Sequence, residues 1–172
     1  MATLIVETGS GSSTANAYDT TVNVTAYHDD RETSASWAAV SDKEVAIIEA
    51  TDYLERVYKS RWMGERINRD MTLSWPRYNV VDSDGYAWET NVVPLPIRQA
   101  TAILALKAGS ETTSLFTDIS AVNSGVKKKV SKAGPVESEI EYYGGQGTLP
   151  VYPEVDGVLS QFILGSSRIF RA

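Results

Sequence analysis

The chain has 172 residues, 42% hydrophobic and 22% charged, the balance of one globular domain with a real core rather than of a disordered tract. It contains no cysteine, which excludes disulfides, thiolate metal sites, cysteine nucleophiles and iron–sulfur ligation. The net charge of −6 is blocked: residues 1–55 carry −8, residues 56–77 carry +4 and residues 127–132 carry +4, so an acidic chain retains local basic faces that either meet phosphate or are merely solvated.

The opening "ATLIVETGSGSS" has no basic run ahead of its short apolar stretch, so it does not read as a secretory signal. No segment reaches the apolar length of a bilayer span, and the expectation is a soluble protein with no membrane partner. Residues 8–16, "TGSGSSTAN", read as a loop or arm. Its glycines invite a phosphate-loop reading, but the Lys-Ser/Thr that completes such a loop is missing, and a flexible N-terminal arm is the expectation. A short helix is predicted from near Thr21, with Val22, Ala26 and Tyr27 on one face.

The clearest helix is predicted from Ser41 to Ser60, opened by the capping box "SDKE" in which Ser41 caps and Glu44 reaches back. Apolar positions follow at spacings of three and four, giving one core-facing stripe. A second strong helix starts at Pro94 and Pro96 and stops at Gly109, with Ile97, Ala100, Ile103 and Leu104 on the face that packs against the first helix. Between them lies "MTLSWPRYNVVDSDGYAW", in which Asp82, Asp84 and Gly85 resemble part of a calcium loop. The remaining oxygen ligands and flanking helices of such a loop are absent, so a solvent turn joining two short strands is expected.

Farther on, "VKKKVSKAGPVESEIEYY" predicts a hairpin turning near Gly134 and Pro135. Lys127, Lys128, Lys129 and Lys132 lie on one strand and Glu137, Glu139 and Glu141 on the other, and cross-strand pairing accounts for both charge runs. A short helix begins at about Glu154, and "GSSRIFRA" reads as a mobile tail. The predicted fold is α+β and mainly helical: about four helices in a small bundle, a β-hairpin, and extended N- and C-terminal arms. One domain spans residues 1–165, with a helical core at about 20–110, the hairpin at about 125–143, a C-terminal helix at about 154–164 and a tail at 166–172.

His28 is the only histidine, so neither a His-based metal cluster nor a Ser–His relay is available. At a predicted helix end it reads as a helix-end cation or a plain surface residue. No carboxylate pair sits in an apolar frame that would raise a pKa. The expectation is therefore no enzyme, no catalytic residue, no metal and no cofactor. The densest basic stretch, "RVYKSRWMGERINRDMTLSWPR", interleaves aromatics with cations, and Arg61, Trp62, Arg66 and Arg69 are candidate nucleic-acid contacts by stacking plus phosphate pairing. Trp62 and Trp75 are equally the large residues that seal a small core, and both readings stand on residues alone.

The succession "NAYDTTVNVTAYHDDR", "SWAAVSDKEVAIIEATDYLERVY", "LSWPR" with an Asp/Gly turn, "VPLPIRQATAILAL", "GPVESEIEYY" and "YPEVDGVLSQFIL" resembles the head-to-tail adaptor proteins of tailed bacteriophages. These are also called head completion or connector proteins, and some are labelled DnaT-like single-strand DNA-binding proteins. The likeness spans nearly the whole chain. It implies a structural virion protein of the neck, made in the host cytoplasm, that forms a ring, usually twelvefold, under the portal protein. Such a ring extends the channel for double-stranded DNA and offers a platform to the downstream tail or nozzle/stopper protein. The resemblance further implies that Arg168, Ile169, Phe170 and Arg171 clamp the portal, and that the hairpin charges Lys127, Lys128, Lys129, Lys132, Glu137, Glu139 and Glu141 meet a neighbouring subunit or the tail. The alternative is a single-stranded DNA-binding module of a phage or bacterial replication system.

Overall fold

A computed structural model describes residues 2–82, 84–110, 115–116, 129–133, 136–140 and 150–164. Its elements are α1 (Thr21–Asp29), α2 (Ser34–Ala38), α3 (Lys43–Tyr58), β1 (Glu65–Arg66), β2 (Arg77–Tyr78), α4 (Leu95–Ala108), β3 (Lys129–Ala133), β4 (Val136–Ile140) and α5 (Pro153–Leu159). The chain is thus α+β and mainly helical, as its patterning predicts. It divides into two compact units, Met1–Leu115 with Tyr152–Ala172, and Phe116–Val151.

In the first unit α3 packs along α4, which also receives α1 and α5. α3 buries Ala46, Ile47, Ala50, Tyr53, Leu54 and Tyr58, and α4 buries Ile97, Ala100, Ile103 and Leu104. The cap of α3 is one residue later than the capping box implies: Asp42, not Ser41, accepts the N–H of Val45 at 3.1 Å. Aspartate caps as well as serine and adds a negative charge at the positive end of the helix dipole. α4 starts after Pro94 with Pro96 in its first turn, and Gly109 follows its last residue. Gly109 has an ordinary φ of −76°. A Cβ there would meet Val40 at 2.5 Å, so close packing rather than a left-handed turn selects glycine.

α1 presents a different face from the one predicted. Val24 and His28 are buried, whereas Val22 is 76% exposed and Ala26 is also outside. A nine-residue helix of Val, Thr and Asn has too weak a periodicity to select its inner face, and a buried imidazole does so instead. His28 is neither a surface residue nor a helix-end cation: its Nδ1 lies 2.8 Å from Thr33 Oγ1 and its Nε2 3.1 Å from the Ala102 carbonyl oxygen. The carbonyl only accepts, so Nε2 carries the proton and the hydroxyl of Thr33 donates to Nδ1. His28 thereby clips the α1–α2 corner onto α4, with its ring against Trp37 at 5.1 Å.

Burial holds the His28 pKa below its ordinary value, opposed by the Ala102 hydrogen bond. The unfolded chain then binds the proton more readily than the folded one, so this contribution to stability is complete above about pH 6.5 and is lost as pH falls toward the folded-state value. Urea midpoints measured between about pH 6.5 and 5 are expected to fall in the wild type and to flatten in His28→Gln, which cannot titrate.

The glycine-rich stretch is a closed loop, not an arm. The buried carboxylate of Glu7 accepts the N–H groups of Gly9 and Gly11 at 2.8 and 3.0 Å through Oε1, and that of Ser12 at 2.7 Å through Oε2. Backbone N–H groups gathered this way form an anion nest, filled here by the chain's own acid. Gly9 has φ 105°, and a Cβ on it would lie 1.7 Å from the Asn91 carbonyl oxygen, so the loop seats directly on the segment that leads into α4.

In the second unit β3 and β4 pair antiparallel, with Lys132 opposite Glu137 and Ala133 opposite Val136. Lys129 is opposite Ile140 and Glu139 opposite Val130, so the register sets one of the expected Lys–Glu pairs face to face. Lys127, Lys128, Glu141 and the turn at Gly134 and Pro135 lie outside the described residues.

Candidate functional site

The basic, aromatic stretch follows α3 and runs through β1 and β2 toward α4. Its rings close on one another: Tyr58 to Trp62 at 5.6 Å, Trp62 to Trp75 at 5.8 Å, Trp75 to Phe162 at 5.4 Å and Trp88 to Phe162 at 5.0 Å between centroids. Trp75 has no exposed surface and Trp62 only 3%. Edge-to-face and tilted rings at these spacings are core packing. Trp62 therefore has no free face on which a base can stack, and the core reading of both tryptophans is the one observed. Phe162, which completes the cluster, stands a hundred residues away from Trp62 and carries no local signal.

Arg77 is buried under this cluster. Its Nε donates to the Met63 carbonyl at 2.6 Å, Nη1 to that of Ser74 at 3.1 Å and Nη2 to that of Gly64 at 2.6 Å. The planar fork thus ties the segment just before β1 to the end of the β1–β2 loop. Burial lowers the Arg77 pKa from its ordinary value.

Tyr18 supplies a second knot. Its hydroxyl donates to Glu55 Oε1 and accepts the N–H groups of Ser74 at 3.1 Å and Trp75 at 3.3 Å. Glu55 also accepts the Ser74 N–H at 3.0 Å and the Ser74 hydroxyl at 2.7 Å. Burial, reinforced by Glu55, raises the Tyr18 pKa well above the usual phenol value.

Neighbouring motifs are tied in the same manner. Asp19 pairs with Arg98 of α4 at 3.1 Å, and the Tyr58 hydroxyl donates to Asp156 of α5 at 2.6 Å. The stretches "NAYD", "ATDYLERVY", "LSWPR", "IRQAT" and "YPEVD" are therefore fastened to one another, and their side chains hold the fold.

Of the candidate nucleic-acid contacts, Arg61, Arg66 and Arg69 are exposed. The Arg61 guanidinium lies over the Tyr58 ring at 5.3 Å, and Arg66 Nη1 donates to the Met71 carbonyl at 3.1 Å. The portal-binding candidates Arg168, Ile169, Phe170 and Arg171 lie outside the described residues, but the segment before them is fixed. Ile163 bridges Trp62 antiparallel, with Met63 N–H to the Phe162 carbonyl at 2.8 Å and Leu164 N–H to that of Arg61 at 2.7 Å. Leu164 is therefore held beside Arg61.

The Asp82–Gly85 stretch is a turn, as predicted, closing a bridge between Val81 and Ala87. Asp82 Oδ1 accepts the N–H groups of Asp84 and Tyr86, both at 2.9 Å, so that oxygen serves the loop, and Gly85 takes φ 92°. Sequence reasoning did not single out Tyr86, 73% exposed at this turn, or Val81, 40% exposed beside it. Among the described residues no group of three or more His, Asp or Glu is placed to hold a metal ion, and no helix is long and apolar enough to cross a membrane.

A family model described as "Putative DnaT-like ssDNA binding protein" matches residues 2–172. No curated protein and no solved structure matches the chain.

Proposed function

The chain belongs to the DnaT-like ssDNA binding protein family; from its buried aromatic cluster and its blocked charge we propose that this member works by assembly, as a non-catalytic head-to-tail adaptor of a tailed phage. In this reading copies of the chain form a ring under the portal protein, extend the channel for double-stranded DNA and give the downstream tail or nozzle protein its platform. The observation that carries it is the burial of Trp62 and Trp75: the aromatic residues that would make the basic stretch a stacking platform are spent on the core. What remains outside is blocked charge, and complementary charge between subunits sets register and partner choice. Leu164 is held on Arg61, and beyond it Arg168, Ile169, Phe170 and Arg171 supply apolar anchors and charge for the portal, whose burial and pairing are gained on assembly.

Electron microscopy of the purified chain mixed with portal protein tests this reading. Rings coaxial with the portal are expected, and their loss is expected when residues 166–172 are removed. A chain that stays monomeric beside the portal at every concentration ends the proposal.

Single-stranded DNA binding is a second reading, favoured by the family's description and by the exposed Arg61, Arg66 and Arg69. A labelled oligonucleotide titrated across salt separates the two. If three arginines grip phosphate, changing all three to alanine reduces the slope of log K against log salt by about 2, at roughly 0.7 per phosphate for single strands. Trp62→Ala is unsuited to this purpose, because removal of a core ring reports on folding.

A further inference from the structure

The ribbon formed by β1, β2 and the turn after it carries opposite charge at its two ends. At one end Arg66 sits opposite Arg77, with exposed Arg61 before β1 and exposed Arg69 between β1 and β2. At the other, the Asp82–Tyr86 turn exposes Tyr86, flanked by Val81 and exposed Asp84, with exposed Glu89 two residues beyond the bridging Ala87. Among the described residues, the ion pairs Arg98–Asp19 and Lys107–Glu154 involve none of Arg61, Arg66, Arg69, Asp84 and Glu89. Glu65 and Asp70 are the acids at the basic end, and Glu65 is already hydrogen-bonded by the Tyr78 hydroxyl.

We propose that the two ends are the two halves of a contact between copies of this chain: the Tyr86 turn, with Val81, Asp84 and Glu89, seats against Arg61, Arg66 and Arg69 of the next copy. The inference rests on the assembly reading above and names the surface through which subunits meet. The turn is preformed, because Asp82 holds its backbone N–H groups, so little ordering is spent on docking. Tyr86 supplies a rigid amphipathic anchor and Val81 apolar area, while the acids fix orientation against the cations. A patch meeting a different patch is a heterologous contact, which generates rings when its rotation closes.

The test uses the full chain and sedimentation velocity across concentration and salt, alone and with portal protein. Asp84→Lys with Glu89→Lys is expected to weaken self-association at least tenfold, and Arg61→Glu with Arg69→Glu to do the same. The chain carrying all four changes is expected to recover association, because the contact is restored with its signs exchanged. Tyr86→Ala weakens association without altering its salt dependence. All these side chains are exposed, and unchanged circular dichroism and melting confirm that each variant folds. Wild-type rings unaffected by either pair, or a four-fold variant that fails to recover, overturn the proposed contact and leave the assembly reading standing. Loss of oligonucleotide binding by the arginine pair with self-association intact overturns it as well, assigning the basic end to nucleic acid. A wild-type chain that remains monomeric with portal present ends both.

Discussion

Arg77→Ala is expected to be among the most destabilising single changes in the chain, at about 3 kcal/mol or more. Three carbonyl groups, those of Met63, Gly64 and Ser74, share this one guanidinium. Its removal strands one buried and two part-buried acceptors, at roughly 1–3 kcal/mol for a buried one and less where water reaches. Arg77→Lys keeps the positive charge but recovers only part of the loss, since an ammonium on a flexible stem cannot span three carbonyls arranged around a planar fork. Urea midpoints of the two variants, with far-UV circular dichroism to confirm helix content, distinguish a role in bond geometry from one in charge alone. A lysine variant as stable as the wild type would refute the account of Arg77 as a loop clasp.

The second large effect is expected at the Tyr18–Glu55–Ser74 knot. Tyr18→Phe deletes the hydroxyl that accepts the Trp75 N–H and donates to Glu55, and is expected to cost about 1–3 kcal/mol. Glu55→Gln is expected to cost a similar amount, because one of its oxygens, which accepts from Tyr18 and Ser74, is replaced by a donor. The decisive quantity is the double variant. Groups sharing one network lose less together than separately, with coupling of about 0.5–3 kcal/mol; strictly additive losses would show that the two side chains act independently.

Much of the architecture was legible because α3 and α4 are long, periodic and well capped, so their existence follows from spacing alone. The α3 cap slipped by one residue because Ser41 and Asp42 are both good caps and only the observed N–H partner decides between them. α2, five residues long, has too few turns to show a period. The inner face of α1 was misread because the residue that anchors it is a histidine, whose acceptor at Ala102 lies 74 residues away. The glycine loop did carry a local sign of its purpose, an acid two residues before the first glycine, but a nest filled by its own carboxylate looks the same in sequence as one awaiting phosphate. The basic, aromatic stretch was ambiguous for a deeper reason: sequence gives the identity of Trp62 and Trp75, and only the arrival of Phe162 from the far end of the chain shows that their faces are covered. The Tyr86 turn is the converse: a solvent turn is what its Asp and Gly spacing predicts, but spacing alone does not show that Tyr86 stands 73% exposed on it.

The pairing of Ile163 with Trp62 has a mechanical consequence. Tension applied to residues beyond Leu164 is first borne by the Leu164-to-Arg61 hydrogen bond, and then by the bond between Met63 and Phe162. Force on the C-terminal end is thus delivered to the loop after α3 and to the ring cluster at Phe162, in parallel with α5. Leu164 is thereby moored next to the aromatic cluster, so a pull there is resisted by the ring packing at Phe162 before it can peel away a short helix.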